Sequence, residues 1–318
     1  MDLLSDILNV VRLSGTLYFR TSFSGQWGVQ VPAYSNVCRF HYAHRGGCYV
    51  RVGGDGEPLH LAEGDLVLIT RGADHVLSDP AAAPVSALDD VVKSSGFTGR
   101  GALVVNGDDF DRNNTQLICG HFAFAEDADH PLLAALPSFI HLPAFGAISP
   151  AWMEESLKII KTETSGASLG GDLIALKLSE IIFTQAVRAF LADQGRDVPG
   201  LAGYSDPNLT RALAAMHDDP AKAWTVEALG RIAGLSRSVF AERFTEQLSV
   251  APLTYLTEWR MQLARRLLVD SKLPILDVAE RAGYNSEASF GRAFKRHFDM
   301  GPAGYRRHHL AAAEGVVG

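Results

Sequence analysis

Apolar residues fall into distinct textures along the chain. Between about residues 15 and 145 they form short β-rich runs, among them Tyr49-Val50-Arg51-Val52, Leu66-Val67-Leu68-Ile69, Ala102-Leu103-Val104-Val105 and Leu117-Ile118-Cys119. Gly, Asp and Pro clusters separate them, which predicts an all-β sandwich or barrel. The weakly periodic stretch from Ala81 to Arg100 reads as a long loop. From about 152 to 192 the spacing turns helical. Trp152, Leu157 and Ile160 mark one segment, and Leu173, Leu176, Ile181 and Phe190 a second after Gly170-Gly171. A Gly-rich linker at 193–205 closes on the turn Ser205-Asp206-Pro207. At the other end, Met1-Asp2-Leu3-Leu4-Ser5-Asp6 reads as the first turns of an amphipathic helix.

The strongest pattern is a self-similarity at an offset of about 50 residues. One copy runs Leu229-x-x-Ile232-Ala233-Gly234-Leu235-Ser236, then Phe240 and Phe244. The other runs Val278-Ala279-x-x-Ala282-Gly283-Tyr284-Asn285-Ser286, then Phe290 and Phe294. Each predicts a short helix, a left-handed Gly turn, a Ser N-cap and a second helix whose paired Phe residues share one face. That is a helix-turn-helix at about 225–245 and another at about 275–298. One long helix around Trp259-Arg260 and Ala264-x-x-Leu267-Leu268 joins them.

Composition is ordinary for a globular protein, 47% hydrophobic and 20% charged over 318 residues, and the length suits two domains. No apolar run is long enough for a membrane span, no signal-peptide pattern opens the chain, and three cysteines make no disulfide framework. A reducing cytoplasm is the expected compartment. The net charge of -7 argues against nucleic acid until it is divided. Residues 1–203 carry 14 basic and 23 acidic side chains; residues 204–309 carry 15 and 12. The acid belongs to the front and the base to the repeat.

The two copies, the joining helix, Ile275-x-x-Val278-Ala279-x-x-x-Gly283-Tyr284, Ser289-Phe290-x-Arg292-x-Phe294-Lys295-x-x-Phe298 and Pro302-x-x-Tyr305-Arg306 resemble the AraC/XylS family of transcription regulators over about 206–307. The resemblance implies two recognition helices reading successive major-groove segments of promoter DNA. With Val239, Phe240 and Phe244 inward on the first helix, Arg237, Ser238, Ala241 and Glu242 project outward. With Phe290, Phe294 and Phe298 inward on the second, Glu287, Ala288, Gly291, Arg292 and Lys295 face DNA. Arg292 suits a guanine edge, and Glu242 or Glu287 a cytosine amine. Arg243, Lys295, Arg296, Arg306 and Arg307 suit phosphates.

In the front half, Gly64, Gly72 and His75 match a second cupin motif in which Thr70 replaces a Pro. Phe40-His41-Tyr42-Ala43-His44 resembles the first cupin hairpin without its His-x-His and carboxylate. The layout, including Leu117-Ile118-Cys119-Gly120-His121-Phe122 and His130-Pro131-Leu132-Leu133, is similar to the cupin-type sensor domain of one branch of these regulators. The expected fold class is therefore α+β in two domains. A cupin-like β-barrel with a helical dimerisation pair (1–192, the pair at 152–192) precedes an all-α DNA-binding domain. His41, His75, Cys119 and His121 form a candidate site for zinc or another divalent metal, to be weighed against a buried inert Cys119, a redox-active thiol and a small organic effector. The function expected is an effector-responsive, sequence-specific regulator and not an enzyme. Its expected partners are double-stranded promoter DNA, a small-molecule or ionic effector, RNA polymerase if it activates, and a second copy of the chain. The alternative is a metal-dependent cupin enzyme fused to a DNA-binding module. A DNA-repair thiol acceptor would need a Cys-ligated zinc set that three scattered cysteines do not supply.

Overall fold

A computed structural model describes residues 2–12, 14–54, 56–99, 101–107, 114–125, 127–145, 152, 155–156, 159–160, 162–163 and 169–315. The chain forms two compact units. One comprises Leu13–Phe124 and Leu136–Phe190; the other gathers Met1–Arg12, Ala125–Ala135 and Leu191–Gly318.

The first unit is a β-sandwich. One sheet holds six strands in the order β11-β6-β3-β10-β1-β9: Phe139–Leu142, Leu66–Ile69, Val37–Arg45, Thr115–Ala123, Ser14–Phe23 and Ala102–Val105. The other holds five in the order β5-β4-β7-β2-β8: Leu59–Leu61, Cys48–Val52, His75–Asp79, Trp27–Val31 and Ser86–Ala87. The described strands thus pair into two sheets and not one closed barrel. Strand alternation sends one set of side chains between the sheets, where Val29, Val31, Val50, Val67, Ile69, Leu77, Leu117 and Cys119 form the core. The opposite face of β3 and β10 carries Phe40 and Phe122, and Phe122 packs on Phe183 at 4.9 Å.

One expectation changes here. The stretch Ala81–Arg100 is not a loop throughout: Leu88–Ser95 is a helix (α2, with α1 at Leu3–Val11) that ends on Gly96 at φ 68°. Its single buried residue, Val91, is too little apolar signal to show in the sequence. Of the helical pair, the second member is the helix Gly171–Asp193 (α4, after the short α3, Pro131–Ala135). The first falls largely outside the described residues, Leu157 included.

The second unit is helical: α5 (Pro207–Asp218), α6 (Val226–Ala233), α7 (Arg237–Leu248), α8 (Pro252–Asp270), α9 (Ile275–Arg281), α10 (Glu287–Phe298) and α11 (Pro302–Gly315). It has two cores. Phe240, Phe244, Leu213, Met216 and Tyr255 fill one, and Phe290, Phe294, Met261, Leu268 and Tyr305 the other. The unit also takes in α1 and the 125–135 segment, which the sequence reading grouped with residues 1–192. Buried Arg265 explains part of this, since its guanidinium donates to the Val10 carbonyl at 2.8 Å.

A second link is a chain of hydrogen bonds through buried histidines. His130 Nδ1 accepts from the Leu132 amide, so His130 Nε2–H faces the Tyr255 hydroxyl at 3.3 Å, and that hydroxyl meets His217 Nε2 at 2.8 Å. His217 also stacks flat on Trp259 at 3.6 Å. Burial holds both imidazoles below their ordinary range, His217 at about 3, so they fold neutral. A depressed histidine contributes stability above its unfolded pKa and loses it as pH falls through the folded one. Thermal melts should therefore show the helical unit weakening steadily as pH falls from about 6.5. A His217→Gln chain should have a shallower dependence over the same window. An unchanged slope in that variant would place the acid sensitivity elsewhere.

Candidate nucleic-acid interface and effector cavity

Each helix-turn-helix is built by local signals. In the first, Thr225 caps α6 by accepting from the Ala228 amide, Gly234 turns at φ 72°, and Ser236 caps α7 by accepting from Val239. In the second, Gly283 turns at φ 77° and Ser286 caps α10 by accepting from Ser289 at 3.2 Å. A Cβ on Gly283 would stand 2.8 Å from the Arg260 guanidinium, so the close approach as well as the turn requires glycine. That guanidinium donates to the Pro220 and Lys222 carbonyls at 2.7 and 2.9 Å, tying α8 to the turn before α6.

The eight residues expected to read DNA are all exposed: Arg237, Ser238 and Glu242 on α7, and Glu287, Ala288, Arg292, Lys295 and Arg296 on α10. Phe240, Phe244, Phe290 and Phe294 are fully buried on the opposite faces. Three assignments are corrected. Val239, expected in the core, is 47% exposed and joins Ser238 and Glu242 on the outer face. Arg243, expected on a phosphate, instead donates from Nε to Asp206 Oδ2 at 2.7 Å and forms an ion pair with it. Asp206 is simultaneously the N-cap of α5, accepting from Asn208 and Leu209. Arg306, also expected on a phosphate, donates to the Leu268 carbonyl at 3.1 Å and is half-buried.

Those corrections leave the two recognition helices electrically unlike. The exposed charges of α7 are Arg237, Glu242 and Glu246; those of α10 are Glu287, Arg292, Lys295 and Arg296. The second helix is net cationic and the first is not. Glu242 and Arg292 occupy the same position of the repeat, two residues after Phe240 and Phe290 respectively. Between these two helices the positive charge concentrates on α10, whose last turn also places Lys295 and Arg296 at the negative end of the helix dipole.

In the sandwich, cross-strand register decides which candidate ligands meet. His41 on β3 lies opposite Cys119 on β10, and Arg39 opposite His121. Gly72 turns the chain into β7 at φ 60°, where a Cβ would sit 2.0 Å from the Tyr34 carbonyl oxygen, and so presents His75. His75 Nδ1 lies 3.0 Å from the Ala73 carbonyl, which can only accept, so that nitrogen carries the proton. His75 Nε2 then accepts from His41 Nε2–H at 2.8 Å, and His41 Nδ1 accepts the Cys119 thiol at 3.1 Å. Every tautomer in this buried chain is fixed by its carbonyl end. Burial supports the neutral forms: it lowers His41 well below its usual range and His75 to about 4, and pushes the Cys119 thiol up.

The expected metal set is not assembled by this arrangement. His41 Nδ1 and His75 Nε2 spend their lone pairs as acceptors within the chain, the Cys119 thiol spends its proton on His41, and His121 stands outside the chain. Among the described residues no three of His, Cys, Asp or Glu are arranged to hold a metal ion. Beside the chain lies a cavity of about 150 Å³, walled by Phe23, Val29, Val31, Leu77, Leu88 and Leu103, with Arg39, His41 and His121 at its polar end. Arg39 was not singled out in the sequence. The signal was its place two residues before His41 on a strand, hence on the same inward face.

A β-sandwich cupin followed by two helix-turn-helix motifs on one joining helix defines a class of transcription regulator. Residues 2–192 match the Cupin family, and residues 229–308 match the Helix-turn-helix domain family. A putative AraC-like transcription regulator of Streptomyces antibioticus is 36% identical over 97% of this chain and 99% of its own. The HTH-type transcriptional regulator AlkR of Acinetobacter baylyi is 32% identical over 96% and 99%. Among solved structures, the DNA-binding domain of AdpA in complex with a target DNA is 32% identical over 34% of this chain and 96% of its own, at a TM-score of 0.32. The chain belongs to the AraC-type regulators with a cupin N-terminal domain. It is a DNA-binding transcription regulator and not an enzyme. No helix among the described residues is long and apolar enough to cross a membrane.

Proposed function

We propose that α7 and α10 enter successive major-groove segments of promoter DNA, with the cavity of the β-sandwich taking a small-molecule effector that sets the occupancy. The observation that carries the DNA half is the exposure of every expected reading residue on two capped helices whose Phe faces are buried. Arg292 reads a base edge, Lys295 and Arg296 hold phosphates, and α7 contributes discrimination with Arg237, Ser238 and Glu242. The neutral Cys119–His41–His75 chain and the apolar walls favour a small organic effector over a metal or a reactive thiolate.

Signal passage follows the chain. The strands that bring Phe23 and Cys119 to the cavity, β1 and β10, continue into the two segments that pack in the helical unit, Met1–Arg12 and Ala125–Ala135. An effector that favours one arrangement of those strands shifts the population of DNA-competent units. A homodimer through α4 is supported by the exposure of Leu173, Ile174 and Ile181 on that helix. RNA polymerase is the further partner if the regulator activates.

Genomic DNA fragments passed over the purified chain at physiological salt should be retained as a small set of promoter fragments; even retention across the genome contradicts sequence-specific binding. Neutralising Lys295 and Arg296 together should reduce the salt slope of binding, log K against log salt, by about 2. An unchanged slope would remove both from the phosphate contacts.

A further inference from the structure

Arg39 is a feature of the sandwich interior that the function above leaves unused. It sits on β3 between Ile69 of β6 and His121 of β10, on the face that points between the sheets. Only 9% of it is exposed. Its guanidinium lies over the Tyr34 ring at 4.3 Å, and its Nε is buried without a hydrogen-bond partner. Among the described residues Arg39 forms no ion pair with an acid, and no Asp or Glu lines the cavity it borders. An arginine stays charged at any physiological pH, and a buried charge left unpaired is costly. The cavity therefore has a cation at the polar end of an otherwise apolar chamber, and no counter-charge to it among the described residues.

We propose that the missing counter-charge belongs to the effector, and that the cavity binds a small organic monocarboxylate, its carboxylate on Arg39 and its apolar body among Phe23, Val31, Leu77 and Leu103. His121, opposite Arg39 in register and half-buried, is placed to donate to the second carboxylate oxygen. The size follows from the volume: about 150 Å³ takes a body near that of benzene, which fits a carboxylate with a chain of about five carbons or a single ring. A dicarboxylate or a sugar acid would strand polar atoms against the aliphatic walls.

This inference rests on the cavity being the sensing site, and the test separates the two. The full-length chain is titrated calorimetrically with hexanoate, benzoate, hexanamide and hexanol. Hexanoate or benzoate should bind about tenfold or more tightly than the uncharged ligands, because a charge-assisted bond to a buried guanidinium replaces a neutral one. The two carboxylates distinguish a chain from a ring. Arg39→Gln should remove the preference while hexanol still binds, and Arg39→Lys should restore part of it. Equal affinity for hexanoate and hexanamide on the unaltered chain overturns the carboxylate assignment but leaves an apolar-ligand cavity standing. No binding of any of the four, with the chain folded by circular dichroism, overturns both.

Discussion

Replacing Phe290 by Ala should cost the helical unit about 3–5 kcal/mol, the range for truncating a fully buried aromatic side chain. Phe290 has no exposed surface and packs against Tyr284 at 5.7 Å and Phe294 at 5.5 Å, where it anchors α10 to its own turn. A domain of ordinary stability holds only about 5–15 kcal/mol, so the loss should appear as a separate low-temperature transition in a circular-dichroism melt. Phe240→Ala should act alike in the other core, because Phe240 repeats the position against Phe244 at 5.5 Å. A cost near 1 kcal/mol at either site would mean that the copy is not packed around its Phe pair.

Arg292→Ala should weaken binding to a specific site by about 1–3 kcal/mol while barely altering affinity for unrelated DNA. Arg292 is exposed on the outer face of α10, and no ion pair of its own among the described residues competes for its guanidinium. A bidentate contact to a guanine edge is worth that amount in discrimination against other bases. Equal losses on specific and unrelated DNA would make Arg292 a phosphate contact. The contrast with Arg243 sharpens the expectation: both were candidates for DNA, but Arg243 is held by Asp206 and should matter for the stability of the helical unit instead.

The difference between those two arginines also shows what could be read from the sequence. The helix-turn-helix motifs were legible because their determinants are local. A Gly turn, a Ser cap and two Phe residues four apart all lie within a dozen positions. Arg243 was misplaced because its partner is 37 residues away. Val239 was misplaced because a residue beside the Phe stripe falls on either side of the boundary. The sandwich was legible as a texture of short strands, but its pairing into two sheets depends on long-range register. The same holds for the candidate site. Period-two spacing put Cys119 and His121 on one face, as expected, yet register set His41 against Cys119 and gave Arg39 to His121. The carbonyl of Ala73, which orders the tautomers of the histidine chain, carries no side-chain signal at all. Nor does any local pattern reveal that α1 and Ala125–Ala135 join the helical unit, since the bond from Arg265 to Val10 spans 255 residues.

The acidic total of the chain takes a definite meaning in this account. Of the two recognition helices, α10 carries the net positive charge on its exposed face, and α7 does not. Discrimination then depends on the two helices acting together, each on its own groove segment. Selection of bound sequences from a random DNA pool by the purified full-length chain tests this most directly. The account predicts a motif with two conserved segments centred about one helical turn, 10–10.5 base pairs, apart. It further predicts that Arg292→Ala loses base preference in one segment and keeps it in the other. A pool that shows no enrichment, or a motif that Arg292→Ala leaves unchanged in both segments, would contradict it.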